Sequence, residues 1–329
     1  MDLSERHLVI GGTGVIGHFV TRALITDGHR PVVATVSGNT DLIADVVGSV
    51  DVVRLDVQGA DALDAVLREH GITHVTHMGA VLQSAAERDP APAVRVMTEG
   101  MINVLEAAVR NGVRRVVYTS SKAVYGVQPE VHRHPDYLPL AEAATPSPVT
   151  MYGALKLAGE HLGRIYRDRH GLEFAALRFA STVGPAKVQR HGAANEPGDM
   201  IERAMTGKPC RIEAGGDART DILYNGDAAH GILCALQSPS LPSALYNIGT
   251  GTGITLHELA EAARTTFPGA EIKVGPGPRF LTEQPGHCVF DIARARDEIG
   301  YEPQHDAAGM VRDYAAMAAI MGLVREARR

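Results

Sequence analysis

Short apolar, β-branched runs alternate with longer stretches of helical periodicity through the first half of the chain. Leu8-Val9-Ile10, Pro31-Val32-Val33-Ala34, Val50 to Leu55 and His74-Val75-Thr76-His77 have the length and composition of buried strands. Val116-Val117-Tyr118-Thr119 and Phe174-Ala175-Ala176-Leu177 continue the series. Helices are expected between them, over Ile16 to Gly28, Ala60 to His70, Val94 to Asn111 and Thr150 to His170. Strand-helix alternation of this kind implies right-handed crossovers, and hence an α/β fold built on a Rossmann-type doubly wound parallel sheet. After Arg178 the pattern changes: Gly-, Pro- and Asn-rich loops run from Gly184 to Gly198, followed by a short helix at Met200 to Met205 and small strands on either side of Gly215-Gly216. Leu245 to Ile248 reads as a late strand returning to the main sheet, and Glu271 to Val274 as a strand among two or three final helices. The expected division is a dinucleotide-type domain over 1–180 with a returning segment at about 221–250. A smaller C-terminal substrate-binding lobe would comprise 181–220 and 251–329.

Composition narrows the class. The chain has 329 residues, 45% hydrophobic and 21% charged, with a net charge of −6, ordinary for a globular protein. Basic residues form no stripe, so neither nucleic acid nor a membrane surface is an expected partner. No signal-like N-terminus or spanning apolar run is present, which gives the cytoplasm as the expected location. Cys210, Cys234 and Cys288 lack metal-ligand spacing and read as packed thiols. His70, His74 and His77 are no better as a metal set, because positions three apart on a strand point to opposite faces. No metal is expected.

The chemistry begins at Gly11-Gly12-Thr13-Gly14-Val15-Ile16-Gly17, directly after the first strand and opening the first helix. Glycines there allow a tight turn, close backbone approach to a diphosphate, and a helix N-terminus aimed at it. The acid that would hold an adenosine ribose, about twenty residues on, is replaced by Thr35, and no arginine for a 2′-phosphate stands there. NAD is the expected cofactor, with NADP left open and Asp41 a substitute acid if its loop folds back. Asp56, with Val57 beside it, ends the third strand where a carboxylate can accept from the adenine amino group. Tyr152 and Lys156 are four apart on one helix, so they share a face, and an ammonium beside a phenol favours its ionised form. Ser121 ends the fifth strand, where a hydroxyl can polarise a substrate oxygen.

Together these features resemble the extended short-chain dehydrogenase/reductase family, the NAD-dependent epimerase/dehydratase group. The resemblance extends through His77-Met78-Gly79-Ala80, Ser121 to Gly126, Tyr152 to Lys156, Arg178 to Pro185 and Asp291 to Ala295. It implies that Tyr152 is the catalytic acid/base, Lys156 its partner and Ser121 the catalytic hydroxyl. It places Gly79, Ala80, Val183, Gly184 and Pro185 along the cofactor, and it implies a homodimer paired through the helices at about 94–111 and 150–170.

Departures from the family pattern then prune the reactions. Dehydratases carry Asp-Glu where this chain has Lys122-Ala123, so dehydration is not expected. Of the two arginines that hold a nucleotide-sugar diphosphate, one is displaced (Arg219 beside Thr220) and one is lost (Gln284-Pro285-Gly286-His287). Ser181 replaces the usual Asn. These losses favour a dehydrogenase acting on a smaller polar substrate, such as a sugar, sugar acid or polyol, faced by Gln83, Ser84, Arg190, His191, Asn195 and Arg219. A UDP-glucose 4-epimerase-like activity with transient hydride transfer is the alternative. A non-catalytic dinucleotide sensor is the remote one, since such proteins tend to lose the Tyr-Lys pair.

Overall fold

The computed structural model describes residues 4–191, 196–278 and 288–323. The elements run β1 (His7–Ile10), α1 (Gly17–Thr26), β2 (Val32–Thr35), β3 (Asp51–Arg54), α2 (Ala60–Glu69), β4 (His74–His77), α3 (Gln83–Arg88), α4 (Pro90–Val94), α5 (Gly100–Arg110), β5 (Arg115–Ser121), α6 (Met151–His170) and β6 (Glu173–Phe179). They continue with β7 (Ser181–Val183), α7 (Lys187–His191), α8 (Glu196–Met205), β8 (Cys210–Ile212), β9 (Ile222–Tyr224), α9 (Asn225–Gln237), β10 (Leu245–Ile248), α10 (Leu256–Thr266), β11 (Ile272–Val274), α11 (Ala293–Ile299) and α12 (Ala307–Ile320).

Seven strands form one sheet in the order β10-β6-β5-β4-β1-β2-β3, each paired in parallel with its neighbours. Strands β1, β2, β4, β5 and β6 are buried on both faces, which explains why they read as continuous apolar runs, whereas the edge strand β3 exposes alternate residues. Val9 packs with Phe19, Val117, Leu177 and Ile248 on one face. Its neighbours Leu8 and Ile10 pack with Leu63, Val75, Leu105 and Phe174 on the other, as the two-residue period of a strand requires. Order reverses at β1, which is flanked by β2 and β4, and a crevice for ligands is expected beyond the carboxyl ends there.

Two features differ from the sequence reading. Residues 181–183 form a strand, β7, which pairs with β9 in a two-stranded sheet of its own, and the loop expected over 184–198 contains α7 and the first residues of α8. Consequently only β10 of the 221–250 segment rejoins the main sheet, by pairing with β6. The second strand expected near Gly215-Gly216 is this β9, while β8 pairs with β11 beneath α8 and α10. With two polar residues in three, Ser181-Thr182-Val183 lacks the apolar run by which the other short strands are recognised. Among the described residues no helix is long and apolar enough to cross a membrane.

Candidate active site

The glycine loop joins β1 to α1 at the carboxyl edge. Gly11 has φ +84°, a left-handed conformation that disfavours any Cβ. A Cβ on Gly17 would collide with the Gly11 carbonyl oxygen and lie 2.7 Å from Gly12 Cα, so this glycine lets the helix close onto the strand. A Cβ on Gly14, by contrast, meets only the Gly11 oxygen, at 3.0 Å, and otherwise faces open space. Ile16 caps α1 without a side-chain hydrogen bond, and no acid stands in the first turn. Helix N–H groups left without side-chain partners fit a diphosphate. Asn225, at the start of α9, fastens the loop by donating from Nδ2 to the Val15 carbonyl at 2.8 Å.

At the end of β2, Thr35 is buried, with Oγ1 3.4 Å from Ser37 Oγ. Asp41 lies exposed on a short helical turn and accepts from Asn39 Nδ2 at 2.8 Å. Asp56 is exposed beyond β3 and accepts from the Gln58 backbone at 3.0 Å, while Val57 is buried under Gly100. Gly79 and Ala80 follow β4 at the same edge, Ala80 being exposed. Val183 is fully buried, and Gly184 packs so closely on Asn225 that a Cβ would collide with its side-chain amide.

The reactive cluster forms where β5 and α6 meet. Thr150 caps α6 by accepting from the Gly153 N–H at 3.0 Å, which fixes the first turn carrying Tyr152. Tyr152 is half-buried, with the Ser121 side chain acting on its phenol. Ser121 Oγ is itself held by the Ala123 N–H at 3.2 Å. Lys156 is 1% exposed and donates to the Thr119 carbonyl at 2.6 Å, with Nζ 4.7 Å from the Tyr118 ring centroid and 5.7 Å from that of Tyr152. Burial pushes the Tyr152 phenol up to about 12, against the lowering effect of Ser121. Burial also pulls Lys156 down to about 7, with Glu160 opposing. In the ligand-free chain, therefore, the ammonium does not lower the phenol as the four-residue spacing alone suggests. Burial dominates both groups.

A paired network lies directly behind. Glu160 accepts from Ser120 Oγ at 2.5 Å and from Arg178 Nε and Nη2 at 2.9 and 2.7 Å. The Arg178 guanidinium also lies 4.6 Å from the Tyr125 ring centroid.

Of the polar groups expected to face a substrate, Gln83 and Ser84 are exposed on the first turn of α3. Arg190 requires correction: its Nη1 donates to the Thr13 carbonyl at 3.0 Å, so it lies against the phosphate loop rather than over a substrate. His191 ends α7, and Asn195 lies outside the described residues. Arg219 is tied to the Gly253 carbonyl at 2.8 Å and to Glu258 at 3.2 Å. His70, His74 and His77 do not form a metal-ligand set among the described residues. His77 packs against Tyr118 and His74 against His7.

Two lysines with no role in the sequence reading are held by β7, one of them next to Ser121 in the chain. Lys122 Nζ donates to Ser181 Oγ at 2.6 Å, and Lys187 Nζ donates to Thr182 Oγ1 at 2.5 Å and to the Thr182 carbonyl. Burial lowers both, Lys187 to about 8 with a further push from Lys122. The adjacency of Lys122 to Ser121 was the available signal; Lys187 reaches the strand only through the α7 fold.

A parallel sheet with this glycine loop and a Ser-Tyr-Lys cluster at its carboxyl edge defines an NAD-dependent enzyme of the extended short-chain dehydrogenase/reductase type. The chain belongs to the NAD dependent epimerase/dehydratase family, whose model matches residues 7–249. It is 30% identical to a UDP-glucose 4-epimerase of Azospirillum brasilense over 94% of this chain and 90% of that one. Among solved structures it resembles the UDP-glucose 4-epimerase of Thermus thermophilus in complex with NAD (27% identity, TM-score 0.78, covering 95% of this chain and 98% of that one). It is also similar to a GalE-like L-threonine dehydrogenase from Cupriavidus necator in its holo form (25% identity, TM-score 0.79, 94% and 99% covered).

Proposed function

We propose that this chain epimerises a sugar carried on a diphosphate, with Tyr152 moving the proton of the reacting hydroxyl and NAD retained through the cycle. The observation that carries this reading is the lysine pair along β7. The two arginine positions of the family pattern argued against a diphosphate when read from sequence. Lys122 and Lys187 bring two basic side chains to β7, through Ser181 and Thr182, and Lys122 follows Ser121 directly in the chain. The 4-epimerase relatives support the same choice over the dehydrogenase first expected.

In this reading Ser121 Oγ holds the substrate oxygen and keeps the Tyr152 hydroxyl within reach of it. Once the charged Lys156 ammonium stabilises it as the phenolate, Tyr152 takes the carbinol proton to become the phenol and later returns that proton. Lys156 holds the nicotinamide ribose, whose oxygens accept from the ammonium and so favour its charged form. Arg190 and the first turn of α1 hold the cofactor diphosphate, while Asp56 accepts from the adenine amino group and Thr35 faces the adenosine ribose. NAD, when bound, supplies the acceptor for the hydride.

A second reading has a specific observation behind it. Thr220 is buried where the family pattern has an arginine, and Arg219, Lys122 and Lys187 all have hydrogen-bond partners within the chain that a diphosphate would have to displace. A dehydrogenase that releases reduced cofactor from a smaller carbinol substrate would not need a diphosphate anchor, and the likeness to a threonine dehydrogenase supports it.

Incubation with UDP-galactose and NAD separates the two. Conversion to UDP-glucose without accumulation of reduced nicotinamide is the expected result. Absence of conversion, together with steady reduction of NAD by a sugar acid, polyol or L-threonine, would replace the epimerase with the dehydrogenase.

A further inference from the structure

A group of imidazoles sits at the amino edge of the sheet, at the opposite end of the strands from the glycine loop. His7 opens β1, His74 opens β4 beside it in register, and His29 stands in the turn between α1 and β2. The His7 ring centroid lies 4.6 Å from that of His29 and 5.2 Å from that of His74. Glu5 reaches into the same group: its carboxylate oxygens lie 3.8 Å from His7 Nε2 and 3.6 Å from His74 Nε2.

We propose that Glu5, His7 and His29, with His74 alongside, form a binding site for a divalent transition metal of the zinc class. One ligand atom from each of Glu5, His7 and His29 already lies within 4.8 Å of the others. Bonds of about 2.0–2.1 Å to a tetrahedral ion place such atoms roughly 3.3 Å apart, so modest side-chain rotations complete the set. His7 is 3% exposed, yet neither of its ring nitrogens has a hydrogen-bond partner among the described residues. Buried polar nitrogens are ordinarily satisfied, and a lone pair directed at a metal removes this deficit. His74 Nδ1 is 2.8 Å from Thr73 Oγ1, the kind of outer hydrogen bond that orients an imidazole for coordination through its other nitrogen. Imidazole and carboxylate together suit zinc better than the hard cations, which favour all-oxygen sets. Arg114, 3.7 Å from Glu5, competes for the carboxylate but also has Glu173 at 3.5 Å.

Such an ion would clamp β1, β4 and the turn before β2 without touching the catalytic edge, so its effect is on stability. The test uses tag-free, chelator-treated protein. One equivalent of Co2+ should give the visible absorption of a tetrahedral nitrogen-oxygen site, Zn2+ should displace it, and Zn2+ should raise the melting midpoint by about 5 °C at saturating metal. His7→Phe and His29→Phe keep an aromatic ring in the packing and should abolish the spectrum. Glu5→Gln, at a partly exposed position, should weaken binding by more than the roughly 10–100-fold cost of losing an outer hydrogen bond. NAD binding should remain unchanged in all three variants and shows that they are folded. Absence of the Co2+ spectrum in the parent protein overturns the proposal, as does a spectrum that persists in the folded His7→Phe, His29→Phe double variant.

Discussion

Lys156 and Glu160 stand four residues apart on α6, both almost wholly buried, and their surroundings treat them in opposite ways. Glu160 has hydrogen bonds to both oxygens from a guanidinium and a hydroxyl. Lys156 has one hydrogen bond to a neutral carbonyl and two aromatic rings for company. A saturated ion pair fixes a position, because either partner alone would be an uncompensated buried charge. A charge with little compensation is poised to change its protonation or to acquire a ligand. The first group therefore builds the wall, and the second has the surroundings expected of a group that takes part in chemistry.

The largest effect expected from this contrast falls on Tyr152. Tyr152→Phe removes the proton carrier but keeps the ring, so turnover should drop by about 10²–10⁴-fold while NAD affinity, measured by fluorescence titration, stays within a few-fold. Turnover near the parent level would place the proton elsewhere. Glu160→Gln probes the wall. It leaves Arg178 buried with half a partner, and unfolding in urea should show a loss of about 3–5 kcal/mol. A loss below about 1 kcal/mol would mean that water or a rearranged Tyr125 compensates the guanidinium.

The pH dependence of stability sharpens the other half. Lys156 falls from its ordinary 10.5 to about 7 on folding. Between those values the unfolded chain keeps the proton and the folded chain does not. The unfolded state thus binds more protons, and stability should rise with pH across this window. The contribution is at most about 1.4 kcal/mol per pH unit. Lys156→Met should lack that rise when both proteins are unfolded in urea at pH 7 and pH 9. Equal slopes would show that Lys156 stays charged in the folded chain.

Much of this was legible in the sequence, and the reason is local. The glycine loop, the buried strands and the Tyr152-Lys156 spacing depend on neighbours within one turn or one strand, so period and residue type suffice. Ser121 was legible because strand ends are. The failures all involve distant partners. Arg190 meets Thr13 across 177 positions, and no pattern near either residue announces it. Arg178 was noted as a landmark, but its pairing with Glu160 depends on how β6 lies against α6. Lys122 was read only as the absence of a dehydratase acid, because its partner Ser181 lies 59 positions away on a mostly polar strand.

Lys187 offers the finest division between the two regions and between the two functional readings. Like Lys156 it is lowered by burial, to about 8, but its neighbours are the polar atoms of Thr182 and the charge of Lys122. If its task is to meet a diphosphate, the bound anion should restore its full charge, and its loss should weaken binding rather than chemistry. Lys187→Ala should then raise KM for UDP-galactose by about 10-fold, the effect of one charged hydrogen bond, with kcat within about 2-fold of the parent. Lys122→Ala should act in the same direction, with some loss of kcat because it adjoins Ser121. A KM unchanged by Lys187→Ala would mean that the two ammonium groups hold β7 in place rather than a substrate. The diphosphate reading would then lose its carrier, and a smaller substrate would take its place.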